Sequence, residues 1–100
     1  MCILLKQIKK YGVININIMQ IKDEIKNMIT EKYLTVYVRE EDCIELRALF
    51  LHKAIINHEG DKLLRNNLNR VQEYLVNNGF VLDESEKWSV VESYLYKKVE

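Results

Sequence analysis

Hydrophobic positions change their period several times along this chain, and each change marks a predicted element. Val13-Ile14-Asn15-Ile16-Asn17-Ile18 alternates, with Ile14, Ile16 and Ile18 on one side and Asn15 and Asn17 on the other, as in a half-buried strand. With the short apolar run after Met1 and the turn-like Lys9-Lys10-Tyr11-Gly12, it predicts a β-hairpin over residues 2 to 18. Ile21, Ile25, Met28 and Ile29 then recur at helical spacing, which predicts a first helix from about Gln20 to Tyr33, with Asp23 and Glu24 near its positive end. Leu34 to Arg39 alternates again, with Leu34, Val36 and Val38 inward and Thr35, Tyr37 and Arg39 outward, a strand rich in β-branched and aromatic residues.

From Glu40–Asp42 onward the pattern reads as helical. Ile44, Ala48, Leu51 and Ile55 form one stripe, and Cys43, Leu46, Phe50 and Ala54 a second beside it, so a helix running to about His58 is expected to be buried on two sides. Gly60 supplies its stop and Asp61 a cap for a third helix, whose face is Leu64, Leu68, Val71 and Leu75 and whose end is Asn77-Asn78-Gly79. Phe80 to Leu82 reads as a short strand. Asp83 and Glu86 have capping-box spacing for a fourth helix with Trp88, Val91 and Leu95 on one face, and a two-stranded wing over residues 80 to 91 competes with it.

These elements predict one α+β domain over residues 1–100: about four helices, and a small antiparallel sheet made of the N-terminal hairpin plus strand 34–39. A chain of 100 residues buries somewhat over ~60% of its unfolded surface, enough for one core without staples. The absence of proline and the presence of only three glycines leave little room for long irregular loops. Met19 is a second possible start, and translation from it would make the hairpin dispensable.

Charge narrows the function classes. The formal net charge is zero, so no overall excess favours nucleic acid or anionic lipid. Its distribution is uneven: residues 1 to 22 carry Lys6, Lys9, Lys10 and Lys22 and no acid, whereas residues 23 to 60 carry five basic and eight acidic groups. The two cysteines, Cys2 and Cys43, do not make a disulfide framework. No signal peptide or membrane span is recognised, so a cytoplasmic protein with reduced thiols and no membrane association is expected. Heavy use of Ile, Lys, Asn and Tyr is associated with AT-rich coding sequence, which suggests a low-GC bacterium, its phage or a plasmid.

Candidate chemistry is sparse. His52 and His58 are six apart and form no HxH or HExxH pattern, so a structural role is expected for both, and no metal. Cys43 sits beside an apolar stripe and reads as core rather than nucleophile. The acids Glu40, Glu41, Asp42 and Glu45 fit a helix start. The glycines make no phosphate-cradling cluster, so no nucleotide cofactor is expected. A non-enzymatic protein is the reading that remains.

The order strand, helix, glycine turn, helix over residues 34 to 78 resembles ribbon-helix-helix repressors, and that resemblance implies DNA contacts from Thr35, Tyr37 and Arg39. Leu68 to Gly79 followed by Phe80-Val81 resembles a winged-helix recognition helix running into its wing, implying that Arg65, Asn66, Asn69 and Arg70 face DNA. In the first case the helix after the strand is more than a turn too long, and in the second the wing tip at Asp83 to Lys87 is acidic. Neither resemblance is specific to a family. A DNA binder also needs a concentrated basic face, for which Lys6, Lys9, Lys10 and Lys22, interleaved with Tyr11, and Arg65 and Arg70 are the candidates.

Protein recognition takes the remaining weight. Six tyrosines and one tryptophan are generous for this length, and such side chains anchor interfaces at low entropy cost. Tyr11, Tyr37, Tyr74, Tyr94 and Tyr96 are the interface candidates, with Tyr94 and Tyr96 expected on different faces of the fourth helix. An edge strand at 34–39 or 13–18 could accept a partner strand. The expected function is a small bacterial or phage regulator or inhibitor, of immunity or anti-defence type, that binds another protein and forms a homodimer; a DNA-binding regulator is the alternative.

Overall fold

The structure, a computed structural model, describes residues 17–40 and 42–99. The N-terminal hairpin expected over 2–18 lies outside them except at its end, where Asn17 and Ile18 start a helix instead of finishing a strand. Helix α1 (Ile18–Met28) is capped by Asn17: its side chain accepts from the Met19 N–H at 2.8 Å, and the Gln20 side chain accepts from the Asn17 N–H at 3.2 Å. Ile21 and Ile25 are buried as their spacing predicts. The helix stops five residues before Tyr33 because Asn67, buried in helix α2 (Glu59–Asn77), seizes its end. The Asn67 amide donates to the Met28 carbonyl at 3.0 Å, and its Oδ1 accepts from the N–H groups of Thr30 and Glu31 at 2.9 and 3.2 Å. Those two N–H groups cannot then continue the helical ladder.

The predicted strand is present as β1 (Leu34–Glu40), but the segment after it corrects the four-helix expectation. Residues 43 to 49 form strand β2 (Cys43–Leu49), paired antiparallel with β1 from Leu34↔Ala48 to Val38↔Ile44. Ile44, Leu46 and Ala48 point to the helices; Cys43, Glu45 and Arg47 point to the other face. Because Cys43 and Glu45 are buried as well, four successive residues are hidden and the period of two is masked. No glycine or asparagine marks the β1–β2 turn; an irregular register between Val38 and Glu40 takes up the bend. Residues 51 to 57 are then an exposed loop, so Leu51 and Ile55, expected in the core, are 45% and 56% exposed.

Helix α2 carries the predicted face of Leu64, Leu68, Val71 and Leu75, all buried. Its N-cap is His58, whose Nδ1 accepts from the Asp61 N–H at 3.4 Å; Gly60 lies in its first turn and terminates nothing. Its end falls where expected, with Gly79 at φ +88°, a conformation that suits glycine. Among the described residues no helix follows it. Strand β3 (Phe80–Trp88) and strand β4 (Val91–Lys98) form a hairpin, turning at Ser89-Val90, so the competing wing reading matches it in kind and stops seven residues short.

The four strands lie in the order β1-β2-β4-β3, antiparallel throughout. Both helices cover one face. Ile21 and Ile25 of α1 and the α2 stripe meet Leu34, Ile44, Leu46, Ala48, Tyr94 and Tyr96 of the sheet, with Phe50 and Phe80 completing the core. Each fully buried aliphatic side chain there contributes about 1.5–3 kcal/mol of transfer free energy. Among the described residues no helix is long and apolar enough to cross a membrane.

Candidate functional site

Strand parity places Thr35, Tyr37 and Arg39 of β1, Glu45 and Arg47 of β2, Ser93 and Leu95 of β4, and Glu84, Glu86 and Trp88 of β3 on the face away from the helices. Glu45 is at its centre and only 7% exposed. Its carboxylate accepts from Arg39, from Arg47 Nη2 at 3.0 Å and from the Ser93 hydroxyl at 2.6 Å. Burial pushes this carboxyl up, but the Ser93, Arg39 and Arg47 hydrogen bonds outweigh it and hold the group below its ordinary value. Three side chains thus share this one carboxylate.

What the network does is mechanical. It fixes two guanidinium groups beside one aromatic ring: Arg39 and Arg47 lie 5.2 and 5.4 Å from the centroid of Tyr37, itself 38% exposed. A shallow groove of about 260 Å³ runs beside them between Arg39 and Glu45 on one side and Glu84, Glu86 and Leu95 on the other. Trp88 stands at the end of β3, 59% exposed.

The sequence candidates divide sharply. Thr35, Tyr37 and Arg39 are gathered on this face. Tyr74, on α2, is half-buried against the core. Tyr94 and Tyr96 are buried at 8% and 4%, because in a strand a spacing of two puts both on one face, here the helix side. They are removed from the interface set. Tyr11, Lys6, Lys9 and Lys10 lie outside the described residues.

Arg70 is exposed, but Arg65 grips Glu92 with two hydrogen bonds of 2.9 and 2.7 Å and covers the Phe50 ring at 4.3 Å. Arg65 is thus engaged within the fold, and the strand at 43–49 replaces the helix that the ribbon-helix-helix resemblance needs after its strand and that the winged-helix resemblance needs before its recognition helix, while the hairpin at 80–98 retains a wing-like order after α2.

Arg47, Asn67 and Glu92 escaped the sequence reading, which took Glu45 for a helix-start acid and put Trp88 on a face of a fourth helix. Alternation at Ile44, Leu46 and Ala48, had it been preferred to the helical stripe, would have placed Glu45 and Arg47 beside Tyr37 and Arg39. For Asn67 no signal exists in a single sequence, since its partners lie 36 to 39 residues away.

Two further clusters carry titratable groups. Cys43 is buried beside Glu40 and Asp42; burial, then its hydrogen bond to Asp42, pushes the thiol up to about 11, which leaves it protonated and unreactive at neutral pH. At the start of α2 the rings of His52 and His58 stack 3.9 Å apart and 9° from parallel, and each Nδ1 lies 3.9 Å from Asp61 Oδ1. No protein-family model matches this chain, and neither the curated proteins nor the solved structures yield a match to it.

Proposed function

We propose that this chain is a non-enzymatic interaction module that binds another protein on the open face of its sheet. The observation that carries the reading is the one-sided layering. Both helices lie on one face, while the other presents Tyr37, Leu95 and Trp88 in a frame of charges already ordered around Glu45. Aromatic side chains give up little rotamer freedom on binding, and arginines held in place beforehand lose less still. Face docking is favoured over strand addition. Both edge strands carry a register break, β1 between Val38 and Glu40 and β3 between Leu82 and Glu84, and β3 adds Asp83, Glu84 and Glu86, devices that disfavour edge-to-edge pairing.

A small regulator or inhibitor of another protein, of immunity or anti-defence type and working in the cytoplasm, fits a surface that binds without reacting. A homodimer through the same face belongs to this reading. DNA is the less favoured ligand, because Glu45 neutralises Arg39 and Arg47, and Glu84 and Glu86 add negative charge beside them.

The test compares wild type with a Tyr37→Ala/Trp88→Ala variant of unchanged circular dichroism, as affinity baits and in sedimentation equilibrium. Recovery of one stoichiometric partner, or a dimer, that the variant loses supports the reading; identical behaviour of both chains overturns it. In parallel, salt-sensitive anisotropy of a labelled duplex of roughly three helical turns would replace the protein partner with DNA.

A further inference from the structure

We propose that His52, His58 and Asp61 form a site for a divalent transition-metal ion, of the zinc, cobalt or nickel class, that staples the loop between β2 and α2 onto the start of α2. The two histidines bracket the exposed residues 53 to 57, and Asp61 lies one turn into the helix. Donor atoms of the three residues all lie within 4.8 Å of one another. Two imidazoles and a carboxylate are the donor chemistry of borderline first-row ions, and three protein ligands leave further positions for water.

The fit is near but not closed. Metal bonds of about 2.0–2.1 Å put tetrahedral donors about 3.3 Å apart, against 3.9 Å from each Nδ1 to Asp61 Oδ1. Stacked parallel rings also aim their lone pairs side by side rather than at one point. One ring must therefore turn out of the stack, and His52 is free to do so: its side chain is 48% exposed on a loop. His58 is the anchor, since its ring is already held over the helix start, where the 3.4 Å bond from the Asp61 N–H is long enough to yield. Metal binding is thus coupled to movement of the loop end that carries His52. The loop returns through Asn57 at φ 61° and exposes Ile55 and Ile56, so the staple fixes an apolar tip.

Electrostatics set the strength. The positive end of α2 opposes a cation, and the carboxylates of Glu59 and Asp61 in its first turn oppose that field. Glu31 and Lys32 line the adjoining cleft of about 190 Å³, the lysine with its ammonium 5.5 Å from the centre of the Tyr33 ring. With charges of both signs around it, the site is expected to bind at micromolar rather than nanomolar concentration.

The experiment is calorimetric titration of chelator-treated protein with zinc chloride, with cobalt absorption as a second probe of coordination. One ion per chain is expected, with a raised Tm and slower proteolysis between residues 53 and 57. His52→Ala, on an exposed loop, keeps the fold and should weaken binding at least roughly tenfold. His58→Asn retains a helix cap while deleting the imidazole, and should do the same. Cys43→Ser should change nothing, which separates this site from the Glu40, Asp42 and Cys43 group. Absence of saturable binding, or binding that His52→Ala leaves intact, overturns the proposal.

Discussion

Two buried glutamates, one on each face of the same sheet, solve the same problem differently. Glu92, on the helix side, is 2% exposed and is hydrogen-bonded to one cation, Arg65, with the Tyr94 hydroxyl donating at 2.6 Å and Lys87 opposite it on β3. Glu45, on the open side, is 7% exposed and is bonded to two, Arg39 and Arg47, with the Ser93 hydroxyl. The first arrangement is closed over by α2 and Phe50 and joins the helix to β4. The second ends at the surface, and its arginines reach solvent and the Tyr37 ring. Burying a carboxylate therefore serves cohesion on one face and presentation on the other, and redundancy accompanies the second use.

That difference is sharpest under single deletions. Arg65→Ala leaves Glu92 with the Tyr94 hydroxyl and, of cations, only the cross-strand charge of exposed Lys87. Loss of one partner of a buried pair costs about 3–5 kcal/mol, and the 42% exposure of the Arg65 side chain, which lets water reach the vacated space, brings the expected loss to about 3 kcal/mol in urea unfolding. Arg39→Ala or Arg47→Ala leaves Glu45 paired with the other arginine, so each should cost about 0.5–1 kcal/mol. The double variant should cost about 2 kcal/mol or more, exceeding the sum, because only then is the carboxylate uncompensated. Strict additivity at Glu45 would show that the two arginines do not share one charge.

Acid separates the two sites in a second way. At Glu92, as at Glu45, burial raises the carboxyl and hydrogen bonds outweigh it, so both folded values lie below the ordinary one. A depressed carboxyl contributes stability that is complete above the unfolded value of about 4.3 and disappears as the pH falls through the folded value. Wild type should accordingly exceed Glu92→Gln in Tm at pH 7, and the gap should close below about pH 4. The Glu45→Gln gap should close over the same window but start smaller, by about 1 kcal/mol, since its arginines can rehydrate. A gap that persists into acid would mean that shape, not charge, is what glutamine fails to supply.

Legibility in the sequence also divides along the two faces. Helix α2 was readable because only one of its stripes is buried and Asn78-Gly79 closes it; β1 was readable because its outward residues stay outward. Strand β2 was not, because Glu45 is a charged residue hidden on the face that ought to be polar and wet, and hiding it merged two periods into one false helix. The β3–β4 hairpin failed for the opposite reason. β3 is an edge strand exposed from Val81 to Trp88, so burial imposes no alternation on it, and Asp83 with Glu86 imitates a cap. Of the open face, the three β1 residues were legible and the charges that organise them were not, since their neighbourhood depends on strand register.

The smallest effect on stability should come from the residues that matter most for binding. Tyr37 stands outside the core, and the two guanidinium groups beside its ring are ones that Glu45 holds regardless; Trp88 ends an edge strand beside Val91. Tyr37→Ala and Trp88→Ala should each shift unfolding by roughly 0.5 kcal/mol or less, because surface substitutions away from core, caps and buried charge rarely exceed that. Their effect on a partner should be of another order, since truncating an aromatic anchor at the centre of an interface commonly costs about 2 kcal/mol or more. Measured side by side, unfolding and binding give the contrast its last test. If Tyr37→Ala instead destabilises the chain as much as Arg65→Ala does, the open face is a second core lacking its cover, and cohesion rather than presentation explains the arginines around Glu45.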